Sequence, residues 1–142
     1  MVDHGIDILL IEDNPHDEVL ALHAIQRQQI TTKVHVVRDG AAALAYMFCT
    51  GAYDGRSPEN PKVILLDLKV PLVDGIEVLR QIRAVPRTQS VPVVVFTSSS
   101  EDRDIIESYR LGVNSYIVKP IDLEQFSDVA KHLGYYWVGT RS

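Results

Sequence analysis

Glu12 and Asp13, Asp67, Thr97 and Lys119 each stand directly after a run of apolar residues. If those runs are strands of one open parallel sheet, the side chains gather along its carboxyl edge, which is where such sheets bind ligands. Three carboxylates held there repel one another: two unit charges about 4 Å apart cost on the order of 4 kcal/mol at an effective dielectric near 20. Something positive must sit among them. A hard divalent cation takes oxygen ligands, and Mg2+ in particular is held by one or two carboxylates together with waters and phosphate oxygens. Lys119 supplies a second positive charge. An aspartyl oxygen in such a setting is a nucleophile toward phosphorus. Charge on the transferring group would be met by the cation, the Lys119 ammonium, the Thr97 hydroxyl and backbone N–H groups. Asp67 is the expected acceptor because it stands alone on the central strand, whereas Glu12 and Asp13 form a pair suited to holding metal.

Each residue also has an ordinary structural reading. A lone Asp after a strand is commonly a turn or cap residue, and Glu12-Asp13 could simply begin a loop. Thr97 could be a cap and Lys119 a solvated charge. What favours a site is recurrence, since acid pair, acid, hydroxyl and lysine follow the first, third, fourth and fifth apolar runs.

Those runs are residues 6–11, 34–37, 63–66, 91–96 and 115–118. Their continuous apolarity fits parallel strands buried on both faces, and helical segments lie between them. Asn14-Pro15 opens the first helix with a cap and a proline at its first position, and Val19, Leu22, Ala24 and Ile25 form its apolar stripe. Asp39-Gly40 opens the second, which ends near Gly51. Asp74 caps the third, with Ile76, Val78, Leu79 and Ile82 facing the core before Pro86. Ser100 precedes the acidic first turn of the fourth, which stops at Gly112. Asp122 with Gln125 reads as a capping box for the fifth. Residues 51–62, polar and rich in Gly and Pro, read as a surface loop. The pattern predicts an α/β fold of five βα units in a doubly wound, flavodoxin-like parallel sheet with strand order 2-1-3-4-5.

The 142 residues suffice for one domain, and their 46% apolar and 23% charged residues are those of a globular protein with a core. The expected domain is 1–142, with a core at about 6–133 and an aromatic tail at 134–142. A net charge of −5 disfavours nucleic acid and anionic lipid as partners. The single Cys49 makes no internal disulfide. No secretory signal or membrane span is evident, so the expected location is the cytoplasm. His4, His16, His23, His35 and His132 lack metal-ligand spacing and are read as incidental.

Four stretches, ILLIEDN at 8–14, VILLDLKVPLVDGIEVL at 63–79, VPVVVFTSSS at 91–100 and YIVKP at 116–120, resemble the bacterial response-regulator receiver family. The resemblance covers nearly the whole chain. It implies Glu12, Asp13 and Asp67 as metal ligands, with the backbone carbonyl of Lys69 as another, and Asp67 as phosphoacceptor. The cofactor implied is Mg2+, with Mn2+ or Ca2+ as substitutes. Thr97 resembles the hydroxyl that swings toward the phosphoryl group, Tyr116 the aromatic switch that follows it, and Lys119 the phosphate-contacting lysine. A cis Lys119-Pro120 bond and a turn glycine at Gly75 are implied too. Val70 departs from the methionine of many members, and Lys69 and Ser99 occupy variable positions that tune phosphorylation and dephosphorylation. The long loop, the LDLKVP segment and Tyr135-Tyr136-Trp137 look like the stand-alone receivers that partner bacterial phytochromes, which pair through the fourth and fifth βα units.

The expected function is phosphorelay. A sensor histidine kinase, on the finer resemblance a phytochrome, donates to Asp67, and the shifted surface signals to a downstream protein without an output domain. The chain is thus a phosphoacceptor rather than an enzyme, although it takes part in its own Mg-dependent phosphorylation and dephosphorylation. The alternative is a pseudo-receiver, a phosphorylation-independent interaction module. A flavin or nucleotide module of the same topology lacks support, because the first βα turn is acidic and has no glycine-rich cradle. A metal-dependent aspartyl-phosphate hydrolase would need a cap or general acid that is not apparent.

Overall fold

A strand buried on both faces has no polar side to alternate with, and Ile8–Ile11 and Val63–Leu66 are buried at every residue. In the computed structural model, which describes residues 6–27 and 33–132, the order is β1 (Ile8–Ile11), α1 (Pro15–Gln26), β2 (Val34–Val37), α2 (Gly40–Phe48), a 3-10 turn (Gly51–Tyr53), β3 (Val63–Leu66), α3 (Gly75–Ala84), β4 (Val93–Thr97), α4 (Asp102–Arg110), β5 (Ser115–Val118) and α5 (Leu123–His132). All pairings are parallel and the sheet order is β2-β1-β3-β4-β5. Strand order and fold class are those expected. The Tyr135-Tyr136-Trp137 tail lies outside the described residues.

Two layers of core follow from the strand period of two. Leu9, Ile11, Ile64 and Leu66 join Ala43, Met47, Val78, Leu79 and Ile82 of α2 and α3 on one face. Ile8, Leu10, Val63 and Leu65 join Ala21, Ala24, Ile25, Phe126 and Ala130 of α1 and α5 on the other.

Several boundaries differ from expectation for local reasons. Asp7 is spent on the Lys33 N–H (2.8 Å), so β1 starts at Ile8 rather than Ile6. Pro92 has no N–H to give, so β4 starts at Val93 although Val91 is buried, and it runs on through Thr97. On α1, Val19 is 63% exposed and Ala21 takes its place in the apolar stripe. The second helix ends at Cys49, which takes the left-handed conformation usual for glycine (φ 57°). Glu101, not Ser100, is the N-cap of α4, and its N–H is served by the Ser99 hydroxyl at 3.3 Å. At the other end of α4 the Gly112 and Val113 N–H groups close on the Tyr109 and Ser108 carbonyls, a Schellman pattern that ends the helix at the expected glycine.

The loop at 51–62 is held more firmly than a polar surface loop would be. Arg56 donates to the Tyr46 carbonyl through Nε and Nη2 (2.9 and 2.7 Å) while lying over its ring. Arg87 donates to the carbonyls of Pro58 and Met47. His35 is not incidental: its ring stacks on Tyr46 and meets the Tyr53 hydroxyl at 2.8 Å.

Candidate metal centre

The register brings the carboxylates together. Ile11 pairs with Leu66, so the next residues, Glu12 and Asp67, leave β1 and β3 side by side. The ladder continues one step past each strand, for the Asp67 N–H donates to the Ile11 carbonyl (3.0 Å) and the Glu12 N–H to that of Val37 (3.0 Å). Both side chains therefore start from fixed backbone. Behind Asp67 the first turn of α3 packs so closely that a Cβ on Gly75 would sit 2.8 Å from the Asp67 carbonyl oxygen and 2.6 Å from Leu68 Cα. Only glycine fits there.

Glu12 and Asp67 are buried and Asp13 is exposed, yet one carboxylate oxygen from each lies within 4.8 Å of the others. Asp67 Oδ1 accepts the Lys69 N–H (3.0 Å), and Glu12 Oε2 accepts the Asn14 N–H (3.0 Å). The remaining oxygens meet Lys119. Its Nζ lies 2.8 Å from Glu12 Oε1, 2.9 Å from Asp67 Oδ2 and 2.8 Å from Asp17 Oδ2. The lysine is placed by the step beyond β5, where Thr97 pairs with Val118 and the Lys119 N–H donates to the Thr97 carbonyl at 2.8 Å. The Lys119-Pro120 bond is cis.

Electrostatics follow from this crowding. Burial raises the Glu12 carboxyl to about 7 despite the opposing pull of Lys119 and the Asn14 N–H. Burial pulls the Lys119 ammonium down, but its close contacts with the Asp17, Glu12 and Asp67 carboxylates outweigh it and raise the group above its ordinary value. Glu12 Oε1 is fully buried, and Lys119 approaches it without aligning a hydrogen bond, so that oxygen has lone pairs left for a cation. Two buried carboxylates, one exposed carboxylate and access from the Asp13 side are an all-oxygen donor set, which fits a hard divalent ion.

Thr97 is buried, and its hydroxyl accepts the Ser99 N–H at 3.4 Å. The half-buried Tyr116 donates its hydroxyl to the Ser99 carbonyl (2.9 Å), so it reaches the loop after β4 rather than Thr97 itself. Burial raises its phenol above the ordinary value, the bond to Ser99 opposes this, and the charge of Asp104 adds to it. The Lys69 N–H donates to Asp67, while its ammonium points to Asp104 at 3.6 Å. Two participants escaped the sequence reading. Asp17 lies in the first helical turn after the acidic loop, a position from which a side chain points back at the rim. Asp104 holds the same place on α4.

The response regulator receiver domain pattern matches residues 8–131. Response regulator Rcp1 of Synechocystis is 38% identical over 133 residues, covering 94% of this chain and 89% of Rcp1. Its Mn(2+)-bound form superposes with a TM-score of 0.78 at 35% identity, covering 92% and 93% of the two chains. Bacteriophytochrome response regulator RtBRR gives a TM-score of 0.84 at 47% identity, covering 94% of this chain and 80% of its own. The phosphorylated cyanobacterial phytochrome response regulator RcpA gives 0.79 at 39%, covering 95% of each. Among the described residues no helix is long and apolar enough to cross a membrane.

Proposed function

This chain belongs to the response regulator receiver domain family, whose members are phosphoacceptors that bind a divalent metal at an acidic pocket, and we propose that it accepts a phosphoryl group on Asp67 from a sensor histidine kinase. The observation that carries this reading is the convergence of the Glu12, Asp13 and Asp67 carboxylates within 4.8 Å, with Lys119 already 2.9 Å from the proposed nucleophile.

Asp67 Oδ2 attacks phosphorus, the P–N bond to the donor imidazole breaks, and the imidazole leaves with the bonding electrons. Lys119 shifts from the carboxylates to the incoming phosphoryl oxygens, and the Thr97 hydroxyl turns toward the same group. Glu12, Asp13, Asp67 and the Lys69 carbonyl are the residues that would hold Mg2+, with Mn2+ or Ca2+ as substitutes. When bound, the cation supplies positive charge against the phosphoryl oxygens. Thr97 and Tyr116 form the switch that carries the change to α4. Its outlet is a downstream protein partner, with pairing of two copies through the fourth and fifth βα units. One receiver domain working in the cytoplasm completes the reading.

The kinase we assign is a bacteriophytochrome, on the support of the likeness to RtBRR and RcpA. Incubation with a radiophosphorylated bacteriophytochrome kinase domain tests both levels. Label should pass to the wild-type chain and not to Asp67→Asn, and transfer from this kinase should outpace transfer from an unrelated histidine kinase. Transfer at equal rates from both would remove the phytochrome assignment, and transfer to neither protein would remove the phosphoacceptor. A phosphorylation-independent interaction module is the second reading. On its side is the threefold contact of Lys119 with Glu12, Asp17 and Asp67, which offsets carboxylate charge from within the chain.

A further inference from the structure

The loop that joins β4 to α4 is gripped at one residue from two sides. Ser99 gives its hydroxyl proton to Asp104 Oδ2 at 2.6 Å, and its carbonyl receives the Tyr116 hydroxyl at 2.9 Å. Asp104 also reaches the other loop of the pocket, through Lys69 Nζ at 3.6 Å. One carboxylate in the first turn of α4 is thus tied to both loops that flank Asp67. Ser99 is 8% exposed and its N–H is the group that holds the Thr97 hydroxyl, so the grip acts one hydrogen bond away from the proposed switch residue.

From this arrangement we infer that Asp104 is a positioning residue that holds the unphosphorylated arrangement in place, a brake on the switch, in an inference that rests on the phosphoacceptor reading of Asp67. For the Thr97 hydroxyl to turn toward a phosphoryl group it must leave the Ser99 N–H, which in the proposed switch draws the backbone between residues 97 and 99 with it. Ser99 is then drawn against its bond to Asp104, a short charge-assisted bond of the stronger class. A ligand on Asp67 can shift the population only by its differential affinity for the two arrangements, so part of that affinity is used to break the grip. Without Asp104 the competent arrangement is more populated at rest, and the apparent affinity for a phosphoryl mimic rises in proportion.

A plain local role is the competing account. Asp104 complements the positive end of α4, and Ser99 Oγ accepts the Glu101 N–H at 3.3 Å, so the pair could serve helix capping alone. The two accounts differ in what they do to ligand affinity. Capping alone predicts lower stability with unchanged affinity; the brake predicts tighter binding.

Beryllofluoride with Mg2+ is the probe, titrated into wild type, Asp104→Ala, Asp104→Glu, Ser99→Ala and the Asp104→Ala/Ser99→Ala double variant, and followed by the NMR signals of the Tyr116 ring. Asp104→Ala and Ser99→Ala should each bind about tenfold more tightly, the lower end for loss of a bond to a charged group. The double variant should gain no more than the singles, because both remove one bond, and Asp104→Glu should return toward wild type. Without ligand, the Tyr116 signals of Asp104→Ala should lie displaced toward their beryllofluoride-bound positions. Affinities of both single variants within twofold of wild type, or weaker, overturn the brake while leaving the phosphoacceptor intact. If wild type fails to bind beryllofluoride, the phosphoacceptor reading falls and the brake falls with it.

Discussion

Replacing Lys119 by methionine leaves the stem to pack and removes only the charge, which isolates what the ammonium does among Glu12, Asp17 and Asp67. The Lys119 side chain is 11% exposed and Glu12 is fully buried, so solvent screens this contact weakly. Removing one partner of a buried ion pair costs about 3–5 kcal/mol. The carboxylates that remain limit the damage by taking up a proton. With Lys119 present the Glu12 carboxyl already stands at about 7, and Lys119 is one of the groups holding it down. In Lys119→Met it rises further. A folded value raised above the unfolded one gives stability that is complete below the unfolded value and lost as pH rises through the folded one, at about 1.4 kcal/mol per pH unit. Wild type completes this loss near pH 7, whereas the variant keeps losing stability above it. Urea unfolding of metal-free protein should therefore show a deficit of about 3 kcal/mol at pH 8, smaller by about 1 kcal/mol at pH 6. Mg2+ should restore the variant more than it stabilises wild type, because a competing cation has gone; saturation at a hundredfold over Kd is worth about 2.7 kcal/mol. A deficit below about 1 kcal/mol, equal deficits at the two pH values, or a larger Mg2+ effect on wild type would refute the reasoning.

The same carboxyl sets a pH dependence for metal binding. Since Glu12 must lose its proton to act as a ligand, Mg2+ affinity should fall by up to about tenfold per unit below pH 7 and level off above it. Calorimetry in buffers of different ionisation enthalpy should detect the released proton at pH 6. Gly75→Ala places a methyl 2.6 Å from Leu68 Cα, so urea unfolding should show a loss of about 3 kcal/mol, and Mg2+ affinity should drop as Asp67 is displaced. Leu72, 80% exposed with φ 71°, holds a left-handed backbone in the loop beside Asp67. Leu72→Gly should stabilise the fold by about 1 kcal/mol in the same assay, and a loss would show that its side chain has partners.

The site's frame was legible because parallel strands announce themselves as unbroken apolar runs, and the residue after each run falls on one edge. Glu12, Asp67, Thr97 and Lys119 are singled out that way, and the register that aligns Ile11 with Leu66 and Thr97 with Val118 puts them at that edge. Asp17 and Asp104 are not, since both lie inside helices where a carboxylate in the first turn has a sufficient local reason. Only three-dimensional packing turns those turns toward the pocket. The apolar pattern misled where composition and backbone chemistry part: Val91 is as buried as a strand residue but precedes a proline, and Val19 fits a helical stripe yet faces outward. Cys49 in a left-handed cap carries no signal in its residue type. The same is true of the Arg56 and Arg87 bonds that pin the long loop, for arginine in a polar stretch reads as a solvated charge.

Intact mass after incubation with acetyl phosphate and Mg2+ bears most directly on whether Asp67 is a phosphoacceptor in a metal-dependent pocket. The wild-type chain should gain the mass of one phosphoryl group, and should gain nothing when the divalent ion is chelated or when Asp67 is replaced by Asn. An unmodified wild-type chain, or equal labelling of Asp67→Asn, would contradict the assignment.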